Sequence, residues 1–288
     1  MAGPLLDLSG VKGMHGQYRS LVLGDPGAAP DVTTDDYAAA QEAVNAGKTR
    51  DYLLPRAKAL GAQRVLDVGC GVGTMVRTFD EHGLEAYGVD LPGLHRHWQR
   101  LNLSPERMFV IDAEKLRLPF ADNSIDFVYT LGVIEHIGTT NGHSDRRADY
   151  HAVRQQWLRE VYRVVKPGGA MLVAGPNRGF PVDAAHDLDT RATALERRLS
   201  GWLGLSVHRV WGEYFLWNYA DVRRYLQGLP YRLEPQSVEG FLSFGRARGA
   251  LHHLASAYAR NLPRALWGTG FNPWVMAMVH KPAVASPA

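Results

Sequence analysis

RVLDVGCGVGT, residues 64–74, is the stretch that decides the fold class of this chain. It begins with a short apolar run containing one acid, a pattern typical of a parallel strand that is covered on both faces. Three alternate glycines follow, and they keep side chains out of the turn so that its backbone can lie against a ligand. The stretch therefore predicts a buried strand, a turn of the nucleotide-cofactor kind, and a helix.

The spacing of the glycines separates this turn from a dinucleotide-binding fingerprint. The fingerprint G-x-G-x-x-G/A requires glycine or alanine at position 74, where this chain has Thr74. The pattern here is G-x-G-x-G. Asp67 also stands two residues before the first glycine, where a carboxylate can accept hydrogen bonds from the turn or from a ligand cation. A nicotinamide cofactor does not require an acid at that position.

The whole segment resembles motif I of the class I S-adenosylmethionine-dependent methyltransferases, of the small-molecule, methyltransferase type 11-like kind. Two later stretches resemble the same family closely: LPFADNSIDFVYT at 118–130 and LREVYRVVKPGG at 158–169. Together the matches run in order over about 51–176. The resemblance implies an α/β fold with a Rossmann-like, doubly wound, seven-stranded and mostly parallel sheet. The last strand of the sheet is expected to be antiparallel. A helical and aromatic lid insertion is expected as an addition to this fold.

The resemblance also implies S-adenosylmethionine as the cofactor and a set of residues that bind it. Asp90 ends a predicted second strand about 20 residues after the glycine turn, where a ribose-binding carboxylate belongs. A helix N-cap is the alternative interpretation of that acid. After the third strand the family places an acid against adenine, which here falls on Asp112. The complete predicted cofactor set is Asp67, Gly69, Cys70, Gly71, Gly73, Asp90, Leu91, Asp112, Ala113 and Leu131.

LGVIEHI, residues 131–137, follows the predicted fourth strand, at the carboxyl edge where ligands of doubly wound folds bind. It resembles the "EH" variant of the family's post-strand motif. Because imidazole titrates near neutrality, His136 is the first candidate for a general base or a group that orients the acceptor. In the alternative interpretation the EH pair shapes the pocket or contributes to donor binding.

A second group of titratable residues follows the fifth strand, in PNRGFPVDAAHD at 176–187. His186, with Asp183 and Asp187 nearby, forms either a base with its orienting carboxylate or two ligands of a divalent cation. Helix capping is the simpler interpretation of Asp187 and Asp189. We therefore expect His136, His186 and Asp183 to be the catalytic residues. No zinc-type ligand spacing occurs, and the sequence predicts no metal ligand.

The chain divides into four predicted segments. An N-terminal arm and helix at 1–60 precede the S-adenosylmethionine-binding core at 61–179. An insertion at 180–215 is expected to form a lid over the acceptor, and 216–288 complete the core. Aromatic residues cluster in and after the insertion and indicate a flat, apolar lid interior, with ordinary core packing as the alternative. They are Trp202, Trp211, Tyr214, Phe215, Trp217 and Tyr219.

The C-terminal segment is basic and apolar, since no Asp or Glu follows Glu239. Leu251, Leu254, Tyr258 and Leu262 recur there at helical spacing among arginines. This pattern indicates a helix able to rest on an anionic membrane, or a solvated helix face that lines the lid. Peripheral membrane contact is therefore one expectation for this chain.

Composition limits the other classes of function. The 288 residues can bury one sizeable core with insertions. A single cysteine excludes an intrachain disulfide framework, and a net charge of +3 is too small to argue for a nucleic-acid partner. We found neither a signal peptide nor an apolar run of about 18 residues. These features predict a cytoplasmic enzyme.

The predicted reaction is methyl transfer from S-adenosylmethionine to a small or lipid-like molecule in specialised or cell-envelope metabolism. Oxygen is preferred over nitrogen or carbon as the methylated atom. DNA and protein nitrogen methyltransferases of the family often carry an N/D-P-P-Y tetrad after strand four, and LGVI at 131–134 is not one. Two rivals remain: a nicotinamide-dependent oxidoreductase on a similar sheet, and a protein that binds S-adenosylmethionine without turnover.

Overall fold

The computed structural model describes residues 42, 44–91, 95–111, 117–140, 145–183, 186, 188–203, 205–211, 214–242 and 250–283. Two residues of the predicted cofactor set, Asp112 and Ala113, lie outside the described residues, as does Asp187. Among the described helices, none combines the length and the apolar character needed to cross a membrane.

A seven-stranded sheet forms the centre of the molecule. Its strands are β1 (Arg64–Val68), β2 (Glu85–Asp90), β3 (Met108–Val110), β4 (Ile125–Leu131), β5 (Val165–Pro176), β6 (Arg232–Pro235) and β7 (Trp274–His280). Their order across the sheet is β6-β7-β5-β4-β1-β2-β3. Only β7 runs against its neighbours, since it pairs antiparallel with both β5 and β6. The predicted fold, a mostly parallel sheet with an antiparallel last strand, is confirmed.

Helices cover both faces of the sheet. They are α1 (Leu54–Ala59), α2 (Thr74–Glu81), α3 (His95–Arg100), α4 (Tyr150–Val164), α5 (Ala194–Leu203), α6 (Tyr219–Tyr225) and α7 (Ala250–Asn261). A π-helical turn, Thr49–Leu53, leads into α1, and short 3-10 helices occur at Ile134–His136 and Arg264–Leu266.

Alternate side chains of the central strands feed two separate hydrophobic cores. Val65 and Phe127 pack on one face with side chains of α1 and α2, such as Phe79. Leu66 and Val128 pack on the other face with side chains of α4 and α6. Because successive residues of a strand point to opposite faces, a strand buried on both sides must be apolar almost throughout. This explains the continuous apolar run in which Asp67 is the exception.

The insertion at 180–215 is a small unit of its own secondary structure. Its two-residue strands Val182–Asp183 and Ser206–Val207 pair antiparallel, and α5 lies between them in the chain. The aromatic side chains do not form one lid surface. Trp202 and Trp211 are exposed, whereas Tyr214, Phe215, Trp217 and Tyr219 are buried. Core packing therefore accounts for the second group, as the alternative interpretation anticipated.

Candidate functional site

The glycine turn joins β1 to α2, and all three of its glycines adopt the left-handed backbone conformation. The φ angles are 90° at Gly69, 54° at Gly71 and 87° at Gly73. The backbone N–H groups of Gly69 and Cys70 both donate to the carbonyl of Val89, which ties the turn to β2. Residues with a Cβ are strained at these angles, so glycine is favoured at all three positions.

The three glycines differ in what lies beside them. A Cβ on Gly69 would come within 2.4 Å of Cγ2 of Val133, and one on Gly73 within 2.4 Å of Cδ1 of Leu103. Apart from its chain neighbours, no described residue places an atom within 4 Å of a Cβ on Gly71. Gly71 therefore borders open space, as a cradle for a ligand requires, and Gly69 brings the turn against the loop that follows β4.

Asp90, at the end of β2, holds the turn through its carboxylate. Oδ2 accepts from the Gly71 N–H at 2.5 Å, and Oδ1 accepts from the Leu91 N–H at 2.6 Å. The side chain is buried at the same carboxyl edge of the sheet. A carboxylate at this place suits the ribose hydroxyls of a donor, and here it also organises the loop.

Two predicted cofactor residues lie beneath the turn rather than on its surface. Asp67 is buried in β1, and burial raises the pKa of its carboxyl well above the usual range, with the charge of Asp90 adding to the rise. The Cys70 thiol is buried in the same core as Val65, and burial raises its pKa as well. Cys70 can contribute to a ligand site through its backbone only. Leu131, the last residue of β4, is half-buried against that core.

Trp98 packs over the glycine turn from α3, although no role was predicted for it. Its indole N–H donates to the Gly71 carbonyl at 2.8 Å, and its ring is 6% exposed. The same ring would lie 3.2 Å from a Cβ on Gly73. No motif marks this tryptophan, because its contact with the turn depends on how α3 docks against the sheet.

The loop after β4 brings a buried acid to the same edge. Glu135 lies in the 3-10 helix Ile134–His136 and is 1% exposed. A Cβ on Gly175 of β5 would stand 3.0 Å from Oε2 of Glu135 and 2.8 Å from Nε1 of Trp217, so the glycine makes room for both side chains. Burial raises the pKa of Glu135 to about 7, and the positive charge of His186 opposes this rise.

His186, in the insertion, lies beside Glu135 at this edge of the sheet. Its Nδ1 lies 2.8 Å from Oδ2 of Asp183, and its Nε2 lies 3.6 Å from Oε1 of Glu135. The ring of His136 approaches from the loop after β4, with its centroid 5.8 Å from that of His186. The three predicted catalytic residues, His136, His186 and Asp183, are therefore brought together. Glu135 joins them, although the sequence assigned it no role beyond its place in the EH pair.

Arg154, on α4, holds the loop after β4 in place. Its buried guanidinium donates to the backbone carbonyls of Glu135, Ile137 and Phe215, at 3.3, 2.9 and 2.5 Å. These bonds tie the short 3-10 helix to Phe215, the last residue of the insertion. Burial lowers the pKa of Arg154, and the charge of Glu135 partly offsets the cost of burying this cation.

The edge of the sheet thus carries two adjoining sites. One is the open cradle at Gly71, with the Asp90 carboxylate beside it. The other is the cluster of Glu135, His136, Asp183 and His186, which the contact between Gly69 and Val133 joins to the cradle. A donor and an acceptor could therefore bind side by side.

Comparison with known proteins agrees with this arrangement. Residues 66–173 match the family model described as a methyltransferase domain. The demethylmenaquinone methyltransferase of Renibacterium salmoninarum is 31% identical over 148 residues, which cover 50% of this chain and 55% of that protein. The sterol 24-C-methyltransferase of Schizosaccharomyces pombe is 30% identical over 124 residues, covering 41% of this chain and 29% of that protein. The chain therefore spans about half or less of the length of these two relatives.

Among solved structures, the Haemonchus contortus phosphoethanolamine N-methyltransferase 2 in complex with S-adenosyl-L-methionine is 20% identical. The match covers 80% of this chain and 52% of the chain in that structure, with a TM-score of 0.41. Residues 66–173 carry a methyltransferase domain, for which S-adenosylmethionine is the methyl donor, and the strand order of the sheet is that of the methyltransferase fold.

Proposed function

We propose that this protein transfers a methyl group from S-adenosylmethionine to a hydroxyl of a small or lipid-like acceptor, in specialised or cell-envelope metabolism. One observation carries the proposal: the hydrogen-bonded pair of Asp183 and His186 stands with Glu135 and His136 at the carboxyl edge of the sheet. This cluster adjoins the Gly69 turn through Val133. An acceptor held there would lie next to the donor.

The bound donor would supply a methyl group that leaves its sulfonium as a bond to the acceptor oxygen forms, while the hydroxyl proton is released. Around this step the chain has three tasks. Gly71 and Asp90 hold the donor, and the cluster orients the acceptor so that the displacement is in line. Asp183 accepts the Nδ1–H of His186, which leaves Nε2 to accept a hydrogen bond or a proton from the hydroxyl.

A lipid-like acceptor is supported by an apolar helix face close in the chain to this cluster. Leu195, Leu199 and Trp202 recur at helical spacing on α5 and are 65%, 37% and 80% exposed. Arg198 shares that face and is exposed as well. Exposed apolar side chains with a cation among them suit an anionic lipid surface. We include peripheral membrane contact through α5 in the proposal.

The test is a screen for labelled-methyl transfer from S-adenosylmethionine to hydroxyl-bearing sugars, quinones, polyketides and lipids. With an acceptor in hand, we expect His186→Ala to lower turnover by about 100-fold or more, because an oriented proton acceptor contributes about that much. Affinity for S-adenosylhomocysteine, measured by calorimetry, should stay nearly unchanged. The matched control is His82→Ala, at an exposed histidine directly after the C-terminal end of α2.

Unchanged turnover in both His186→Ala and His136→Ala would refute the roles given to these side chains. Binding of NAD in place of S-adenosylhomocysteine would contradict the donor assignment and favour the oxidoreductase. If S-adenosylhomocysteine binds but no acceptor of any class is methylated, the protein that binds the donor without turnover becomes the better description.

A further inference from the structure

We propose that Glu135, His136 and His186 form a binding site for a divalent transition-metal cation. One ligand atom from each of the three side chains lies within 4.8 Å of the others. Two of these residues come from the loop after β4 and one from the insertion after β5, so the site joins two segments that are distant in the sequence. Two imidazoles and one carboxylate form a set that binds iron, zinc, manganese or cobalt with coordination positions left open.

The separation between Nε2 of His186 and Oε1 of Glu135 is the first argument for a cation. At 3.6 Å it is longer than a hydrogen bond between a nitrogen and an oxygen. Two ligands bound at about 2.1 Å in tetrahedral geometry stand about 3.4 Å apart. The pair is therefore spaced as two ligands of one ion are. Two bonds of about 2.1 Å limit any two ligand atoms to about 4.2 Å, so a pair standing at the outer bound of 4.8 Å would close by about half an ångström on binding.

Asp183 supplies the second argument by fixing which nitrogen of His186 is available. Its Oδ2 lies 2.8 Å from Nδ1, so Nδ1 carries the proton and the Nε2 lone pair points away from Asp183. Asp183 and His186 are both largely buried, with side chains 4% and 10% exposed. A carboxylate that accepts from the outer nitrogen of a metal-binding histidine is the usual second layer of such a site.

The buried carboxylate of Glu135 supplies the third argument. Its Oε2 has no hydrogen-bond partner among the described residues, although the side chain is 1% exposed. A buried carboxylate with an unsatisfied oxygen is costly unless a cation or a hydrogen-bond donor compensates it. The Arg154 guanidinium donates to the backbone carbonyl of Glu135 rather than to its carboxylate. A divalent cation between the carboxylate and the two imidazoles would supply the missing positive charge.

The chemistry of the ion follows from the ligands. Mg²⁺ and Ca²⁺ prefer oxygen ligands, so a site with two nitrogen ligands favours transition metals over both. Three protein ligands leave one or more positions for an oxygen of another molecule. If the proposed function holds, that molecule is the acceptor. Because the ion would occupy the Nε2 lone pair of His186, the ion would replace that nitrogen in activating the hydroxyl, by lowering the pKa of the hydroxyl. The metal site itself does not depend on the proposed function.

The test uses the full chain with any affinity tag removed, stripped of metal with a chelator and titrated with Co²⁺. We expect one equivalent of Co²⁺ to produce visible d–d absorption, Zn²⁺ to abolish it by displacement, and excess Mg²⁺ to leave it unchanged. His186→Ala and Glu135→Gln should each weaken Co²⁺ binding by at least tenfold. Asp183→Asn should weaken it by about 10- to 100-fold while preserving the shape of the absorption band, because it orients a ligand without being one.

His82→Ala is the matched control, and it should bind Co²⁺ as the unaltered chain does. Circular dichroism checks the fold of every variant, and His136→Ala replaces any variant that fails to fold. Absence of d–d absorption in the unaltered chain would overturn the proposal, as would a band that survives both His186→Ala and His136→Ala.

The same titration separates this inference from the proposed function, since it needs neither donor nor acceptor. Metal binding without methyl transfer would support the metal site and contradict the proposed function. Full methyl transfer by chelator-treated protein that binds no Co²⁺ would remove the site and leave His186 as the proton acceptor.

Discussion

At the scale of single residues, Gly71 differs from the glycines on either side of it. Gly69 and Gly73 are packed against Val133 and Leu103, so their missing side chains let the protein close on itself. Gly71 has the same left-handed backbone, yet in the part of the chain that the structure describes no atom beyond its chain neighbours lies within 4 Å of its Cβ position. Its missing side chain therefore keeps space open rather than filling it, which is what a donor cradle needs.

We expect Gly71→Ala to weaken binding of S-adenosylhomocysteine by about tenfold or more, measured by calorimetric titration. The added methyl group would enter the cradle. The left-handed backbone would also cost about 1–2 kcal/mol of folding stability, because an L-residue is strained at that φ.

Gly61→Ala is the matched control for this prediction. Gly61 has a φ of 63°, and no described atom beyond its chain neighbours lies within 4 Å of its Cβ position. It lies between α1 and β1, at the opposite edge of the sheet. Both variants should lose similar stability in thermal unfolding, but only Gly71→Ala should lose affinity for the ligand. Equal affinities in the two variants would show that the ligand does not lie against Gly71.

At the scale of elements, α5 is anchored at its start by the buried carboxylate of Glu196. Oε2 accepts from the Thr193 N–H at 2.6 Å, and Thr193 Oγ1 accepts in return from the Glu196 N–H at 3.3 Å. This is the reciprocal capping box expected for T-x-x-E. Oε1 accepts from the Arg209 N–H at 2.8 Å and from the Tyr214 hydroxyl. The Glu196 carboxylate thus joins the start of α5 to Arg209 and Tyr214, near the end of the insertion that carries His186.

The stability of this unit should depend on pH. Burial alone would raise the pKa of Glu196, but the hydrogen bonds from Tyr214, Thr193 and Arg209 outweigh it and lower the pKa to about 2. Because this pKa is lower in the folded state than the value of 4.5 for the unfolded chain, the ionised Glu196 carboxylate stabilises the fold fully above pH 4.5. This stabilisation is lost as the pH falls toward 2. We expect Glu196→Gln to cost about 3 kcal/mol at pH 6, measured by urea unfolding.

The difference in unfolding free energy between the unaltered chain and Glu196→Gln should shrink by roughly half at pH 3. Glu106→Gln, at an exposed glutamate outside the insertion, serves as the control and should show no such trend. A difference that stays constant from pH 6 to pH 3 would contradict the assigned role of the Glu196 carboxylate.

At the scale of the whole molecule, the insertion presents two faces with opposite characters. Its inner side contributes Asp183 and His186 to the cluster at the sheet edge. Its outer side exposes the α5 face formed by Leu195, Leu199 and Trp202. An acceptor drawn from a lipid surface would meet the outer face before it reached the cluster, so the proposed membrane contact and the proposed reaction belong to the same unit.

We expect the full chain to pellet with vesicles that contain anionic lipid, and less so as salt is added, because Arg198 lies in the apolar face. Changing both Leu195 and Trp202 to Ser should reduce binding by about tenfold or more, through the loss of buried apolar area. Leu254→Ser tests α7, whose Leu254 is 67% exposed, as the alternative contact. Binding that is unaffected by the α5 changes would contradict the proposed orientation.

Much of the fold could be predicted because its signals are local. The apolar run of β1, the alternate glycines and the predicted late strand at Trp274–His280 all depend on residues close together in the chain. The chemistry of the cluster could be predicted only in part. His136, His186 and Asp183 were identifiable by residue type and by their position after a strand, but no local pattern assigned Glu135 a role beside them.

The sequence by itself predicted the first strand, the glycine turn and the helix after it, since spacing over a few residues dictates strand, turn and helix. Its resemblance to a known family implied the sheet and the donor. Only the tertiary structure decided that the Asp183–His186 pair meets Glu135 and that Trp98 covers the turn. Those contacts join segments separated by tens of residues. They form because parallel strands β4 and β5 are neighbours and end at the same edge, and because side chains there pack in a way that only strand order and helix docking specify.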